Sequence, residues 1–263
     1  MTNLHLESFG TGPAAVFVHG IFGWGLDTFP DQRALADRYR VIPVDRRGFG
    51  DSPGDGALGW PVDMADLTTL LDDIGRAHLV GHSYGAVGCL LAAGLRPERV
   101  LSLTIIEPPL FEAAAGDPAA DAMIRALKPV YEAAPTLSAR AFHAAWAKAG
   151  GMDEATIAAR ASTFTDMDWA AADASRRERW PGIDVPIADD VLRSATWPKM
   201  MLIGGKPAPA GREMAREAFR VTALAIAQRI GANNCAFEDS LHNPQLEKPA
   251  RFNKLLDEIW ARG

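Results

Sequence analysis

The sequence predicts an α/β fold with a mostly parallel sheet flanked by helices, and three observations carry that expectation. Short continuous apolar runs alternate with longer segments whose apolar residues recur at helical spacing, the pattern of repeated strand–helix–strand units. One such run, through Leu79 and Val80, breaks at Gly81-His82-Ser83-Tyr84-Gly85 and continues as a helical apolar face through Ala86, Val87, Leu90, Leu91 and Ala93. Between Leu110 and Trp197 the strand signal stops and only helical periods remain.

Taken in order, Leu4 to Phe9 alternates like a half-exposed antiparallel strand, and Gly10-Thr11-Gly12-Pro13 is a turn leading to a hairpin partner in the apolar run Ala14 to Val18. A glycine-rich loop, His19 to Gly25, follows. Asp27 to Arg38 reads as a surface helix and Val41 to Val44 as a short strand, before the charged, turn-rich stretch Asp45 to Pro53. Val62 to Ile74 carries Met64, Leu67, Leu70, Leu71 and Ile74 at helical spacing. After the Ser83 turn and its helix, the β-branched run Val100 to Ile106 is a strand that delivers Glu107 at its end. The helical segments that follow include Met123-Leu127-Val130-Tyr131 and Phe142-Ala145-Trp146. Lys199 to Ile203 resumes the sheet, Glu213 to Ile230 is a helix, and Cys235 to Phe237 is a last strand. A loop then holds His242, and Pro249 opens a final helix anchored by Phe252, Leu255, Leu256 and Ile259. The organisation expected is a core of residues 1–109 and 198–263, with 110–197 as a helical cap over the carboxyl ends of the strands, where parallel sheets bind ligands. Four of seven tryptophans, Trp146, Trp169, Trp180 and Trp197, fall in that cap and suggest an apolar pocket beneath it.

Composition narrows the function classes. The chain has 263 residues, 48% hydrophobic and 23% charged, enough to bury the core of one large domain with an insertion. A net charge of -6 and the lack of a basic stripe argue against nucleic acid as a partner. The densest basic cluster, Arg176-Arg177-Glu178-Arg179, is expected on a solvated helix face. Cys89 and Cys235 sit in apolar surroundings as free thiols. Met1 to Glu7 has neither a basic nor an apolar leader region, and no apolar run approaches the roughly 18 residues of a membrane helix, so a soluble, cytoplasmic protein without a membrane partner is expected.

The chemistry is concentrated in the strand-to-helix turn. A serine forced into such a turn stands above the sheet edge, and glycines two residues to either side let strand and helix backbones approach, which makes Gly81 to Gly85 a nucleophile elbow with Ser83 exposed at its top. The His19 to Gly25 loop lacks the spacing of a phosphate cradle and presents backbone N–H groups instead. Asp45 is expected to hydrogen-bond the glycine turn beside it. Clustered metal ligands at recognisable spacing are absent, so neither metal nor organic cofactor is expected.

Ser83, a later carboxylate and the late His242 stand in the order Ser, acid, His. With His19-Gly20, Asp45-Arg46-Arg47-Gly48-Phe49-Gly50-Asp51-Ser52, Gly81 to Gly85, and His242 through Pro249 to Phe252, the chain resembles the α/β-hydrolase superfamily over nearly its whole length, particularly its small, lid-bearing serine esterases. That resemblance implies Ser83 as nucleophile and His242 as base, with His19 and His82 structural. The backbone N–H groups of Ile21 and Tyr84 are then expected to hold the oxyanion, with Phe22 as second choice to Ile21. One departure concerns the acid. Most relatives carry an aspartate after the strand matching Met200 to Gly204, whereas Gly204-Gly205-Lys206-Pro207-Ala208-Pro209 has no carboxylate. Glu107 resembles instead the glutamate that some haloalkane dehalogenases place after the preceding strand; Asp239, Asp189 and Asp190 are its competitors. A serine at the elbow argues against the dehalogenase and epoxide-hydrolase chemistries, which use an aspartate there. The expected activity is hydrolysis of an ester or related acyl bond of a small to medium apolar substrate through an acyl-enzyme. Thioester, lactone and carbon–carbon bond hydrolysis, acyl transfer, and a non-catalytic binding protein on the same fold remain the alternatives.

Overall fold

The structure, a computed structural model, describes residues 3–182 and 184–261. Six strands, β1 (Ala14–Val18), β2 (Arg40–Val44), β3 (Ala77–His82), β4 (Val100–Ile106), β5 (Lys199–Gly204) and β6 (Asn233–Phe237), form one sheet in the order β2-β1-β3-β4-β5-β6, and every pairing is parallel. Around it run helices α1 (Gly25–Thr28), α2 (Trp60–Ile74), α3 (Tyr84–Leu95), α4 (Pro118–Ala133), α5 (Ala139–Ala149), α6 (Glu154–Ala161), α7 (Asp166–Arg176), α8 (Asp189–Ser194), α9 (Glu213–Ile230), α10 (Pro244–Glu247) and α11 (Pro249–Trp260).

The continuous apolar strands follow from burial on both faces. Successive side chains point to opposite faces, so Val16 and Val18 join Leu79 under Leu67, Leu70, Val87, Leu90 and Ile226 of α2, α3 and α9. Ala15 and Phe17 join Val80, Ile106 and Leu202 on the other face, beneath Phe252, Leu256 and Ile259 of α11. Parallel strands put all their carboxyl ends on one edge, so His19, Asp45, Ser83 and Glu107 each begin a loop there. α4 to α8 lie between β4 and β5, and residues 110–197 contribute no strand to the sheet among the described residues. Side chains fix the starts of four of these helices: Asp117, Ser138, Asp153 and Thr165 each accept a first-turn N–H. No helix of the described residues is long and apolar enough to cross a membrane.

Three expectations are corrected. The segment from Leu4 to Phe9 makes no hairpin with Ala14 to Val18; it touches β2 through isolated antiparallel bridges, Leu6 to Val44 and Phe9 to Val41. Both edges of β1 are already taken by β2 and β3, so the segment lies instead along the free outer edge of β2. The helix expected from Asp27 to Arg38 is split into α1 and a 3-10 turn, Asp31–Leu35, because Pro30 between them lacks an N–H and clashes with the preceding turn. The Arg176 to Arg179 cluster is not a solvated helix face: α7 ends at Arg176, and Glu178 turns inward to 5% exposure.

Both thiols are free, and Cys89 is buried in the α3 core. Buried imidazoles carry a stability signature. Burial pulls His78 down to about 4, with the charge of Arg76 adding to it, and burial likewise depresses His19, His82 and His143. An unfolded histidine titrates near 6.5, so below that pH the unfolded chain binds more protons; stability present above about pH 6.5 is lost as pH falls, at up to about 1.4 kcal/mol per unit per fully depressed group. Urea midpoints should fall from pH 7.5 to 5, and His78→Asn should flatten that slope; an unchanged slope contradicts the account.

Candidate active site

The β3-α3 junction explains the position of Ser83. Its backbone holds φ 51° and ψ -123°, a strained conformation for a residue with a side chain. Its N–H donates to the Ile106 carbonyl (2.8 Å). A Cβ on Gly81 would lie 2.6 Å from the Ala86 Cα, and one on Gly85 2.2 Å from the His19 carbonyl oxygen, so the turn closes only with glycine at both positions. Among the described residues, the non-glycines with positive φ are Phe22, Ser83 and Glu107, all at this edge of the sheet.

Glu107 leaves the end of β4 with 1% side-chain exposure and its Oε2 lies 2.6 Å from His242 Nδ1. Its Oε1 accepts from the Gly204 N–H (2.9 Å) and from Arg216 Nη1 of α9 (2.6 Å). His242 is held from two further sides: its carbonyl accepts from His82 Nε2 (3.1 Å), and its ring lies 4.6 Å, centroid to centroid, from that of Phe219. The His82 and His242 rings are 4.8 Å apart, which sets His242 against the residue that precedes Ser83. The structure thus joins Glu107 to His242, while the Ser83 hydroxyl is not hydrogen-bonded to His242 here; such contacts commonly tighten only when substrate is bound. The competing carboxylates point elsewhere. Asp239 pairs with Arg251 and Lys248, Asp189 pairs with Arg229, and Asp190 is exposed.

The His19 to Gly25 loop faces the elbow closely enough that a Cβ on Gly20 would lie 2.9 Å from the Ser83 Cβ. Neither the Ile21 nor the Tyr84 N–H has a protein acceptor among the described residues, whereas the Phe22 N–H donates to Ser175 Oγ (3.0 Å) and is occupied. His19 Nε2 accepts from the Arg46 N–H (3.0 Å), so its proton sits on Nδ1 and is donated to the Gly20 carbonyl (2.7 Å). Burial, reinforced by the Arg46 charge, keeps His19 neutral, and burial next to His242 does the same for His82.

Comparison with known proteins meets this geometry at the family level. Residues 15–255 match the model of the alpha/beta hydrolase family. The chain belongs to that family. Stretches of it resemble an epoxide hydrolase of Caballeronia sordidicola (40% identity over 103 residues, 37% of this chain and 31% of the relative) and the esterase YbfF of Escherichia coli (35% over 95 residues, 35% and 37%). These matches therefore span only about a third of each relative's length. An alpha/beta hydrolase from Sphaerobacter thermophilus superposes with a TM-score of 0.69 at 24% identity, covering 98% of this chain and 96% of that one, a likeness of fold.

In this alpha/beta hydrolase, Ser83 opens into a narrow, almost closed cleft with about 10 Å³ of free space, room for little more than one water. Ile21, Tyr84, Pro109 and Phe219 line it from the sheet side, Leu127, Tyr131 and Trp146 from the inserted helices, and Trp180 from the segment between α7 and α8. Two wider depressions, about 460 and 390 Å³, flank Tyr131 and Glu178 on the outside, but neither touches Ser83. Of the four tryptophans, Trp146 and Trp180 reach the cleft; Trp169 packs on Phe164, and the Trp197 indole donates to the Pro97 carbonyl (2.9 Å).

Asp45 serves the loops, as expected: Oδ1 accepts from the Gly25 N–H (2.7 Å) and Oδ2 from the Asp51 N–H (3.0 Å). With His5 and Asp51 it forms the cluster among the described residues whose donor atoms all lie within 4.8 Å, and its oxygens are already engaged by those amides. Sequence reasoning missed Arg46, Glu178, Arg216 and Phe219. Nothing local marks them, because each acts through a contact with a distant segment.

Proposed function

We propose that the protein is a serine hydrolase that cleaves ester or related acyl bonds of small to medium apolar substrates. The observation that carries this reading is the buried Glu107 carboxylate on His242 Nδ1 at 2.6 Å, beside a serine held in a strained elbow. In this reading the His242 Nε2 removes the Ser83 proton as Oγ attacks the carbonyl carbon. Glu107 fixes the imidazole tautomer and stabilises its cation, and the Ile21 and Tyr84 N–H groups receive the developing oxyanion. Collapse of the tetrahedral intermediate expels the leaving group, which takes the proton from His242; water, deprotonated by the same base, then releases the acyl group. The inserted helices act as a cap that lines the acyl site. A serine at the elbow separates this reading from the activity named for the epoxide hydrolase relative, and the esterase relative supports it.

A series of p-nitrophenyl esters tests the substrate class. Each methylene that enters the cleft should raise kcat/KM by about fourfold, the equivalent of about 0.8 kcal/mol, until the narrow space between Trp146, Trp180 and Phe219 is filled, after which longer chains lose it. The first turnover should show a p-nitrophenol burst if deacylation is slow. A preference for charged or polyhydroxylated esters would contradict the apolar assignment.

A further inference from the structure

The Arg46 guanidinium is fully buried, and its planar fork clamps two successive carbonyls of the loop that faces Ser83. Nε donates to the His19 oxygen (2.9 Å) and Nη2 to the Gly20 oxygen (2.8 Å). Nη1 is held in turn by Asp63 of α2 (2.8 Å) and by Glu178, which comes from the segment between α7 and α8. The guanidinium also lies over the Tyr84 ring, 5.1 Å from its centroid.

Peptide geometry turns this clamp into a statement about direction. All peptide bonds of the described chain are trans, so the Gly20 C=O and the Ile21 N–H lie in one plane and point opposite ways. A Gly20 carbonyl fixed inward by Arg46 and by His19 Nδ1 (2.7 Å) obliges the Ile21 N–H to face outward. Ile21 and Ser83 line the same cleft. We propose that Arg46 is a positioning residue that aims the Ile21 N–H at the reacting carbonyl oxygen, and that Glu178 makes this aim depend on the docking of the inserted helices. The inference rests on the reading of Ser83 as nucleophile.

Lysine keeps the charge of arginine and loses the fork. Arg46→Lys is therefore expected to lower kcat by about 10-fold to 100-fold, part of the 100-fold to 1000-fold typical of losing an oxyanion donor outright, with KM within about threefold. Affinity for an aryl trifluoromethyl ketone, which adds to the serine as an oxyanion, should weaken by the same factor. Affinity for the corresponding alcohol, which forms no oxyanion, should not change. Glu178→Leu leaves the Arg46–Asp63 pair balanced in charge and removes only the tie to the inserted helices; a smaller loss, about threefold to tenfold, should appear in kcat and in ketone affinity together.

Loss of kcat with ketone affinity intact, or a rise in KM with kcat intact, would overturn the proposal. If Arg46→Lys fails to fold, Glu178→Leu decides, and wild-type kcat and ketone affinity in that variant overturn it. Active-site titration of the wild type with a fluorophosphonate keeps the two levels apart. An unmodified Ser83 refutes the underlying reading, whereas a modified Ser83 with no change in Arg46→Lys or Glu178→Leu refutes this inference alone.

Discussion

Ser83→Ala is expected to abolish p-nitrophenyl ester turnover to the limit of detection, a loss on the order of a million-fold where the serine is the nucleophile. The substitution removes one oxygen from the tip of the elbow and leaves the Ser83 N–H to Ile106 bond in place. The fold should survive, and alanine still occupies a positive φ at some cost in strain. Circular dichroism and urea midpoints check the fold, and initial rates check the activity. Wild-type-like turnover in Ser83→Ala would remove the serine from the mechanism.

Glu107→Gln is the second large effect. The amide keeps the shape of the side chain but removes the charge that stabilises the His242 cation, and an amide in this role presents the wrong partner to the imidazole; the precedent is a loss of about 10,000-fold in turnover. The same substitution leaves the Arg216 guanidinium, only 16% exposed, without its carboxylate. Stability should fall along with activity, so rates are to be compared at a temperature where both proteins are folded. Asp239→Asn should stay within about threefold, because that carboxylate is an exposed partner of Arg251 and Lys248. Near-normal turnover in Glu107→Gln would reassign the acid.

These expectations reach back to what the residues disclose in order along the chain. The alternation of apolar runs and helical periods is legible because each element buries its own periodic face, and the elbow is legible because Gly81 is demanded by a contact only five residues on, at Ala86, even though Gly85 answers to the distant His19 carbonyl. The pairing of Glu107 with His242 joins residues far apart in sequence; the missing carboxylate in Gly204 to Pro209 is what points to it. Arg46 is of another kind. Its neighbours Asp45 and Gly48 read as a turn, and nothing in the turn says that the arginine runs inward to Asp63 and Glu178. The same distance in sequence hid Glu178, whose basic neighbours suggested a wet helix face. Local propensity also failed where tertiary contacts decided the pairing: the alternating Leu4 to Phe9 segment met the open outer edge of β2 and not its neighbour β1.

The central claim, that Ser83 is an activated nucleophile, is tested most directly by treating the protein with a fluorophosphonate and mapping the adduct by mass spectrometry. The account predicts one adduct per chain, on Ser83 within the Ala77 to Arg99 tryptic peptide, formed in step with loss of esterase activity and formed far more slowly in Glu107→Gln. A folded protein that stays unmodified, or that loses activity through an adduct elsewhere while Ser83 stays free, would contradict it.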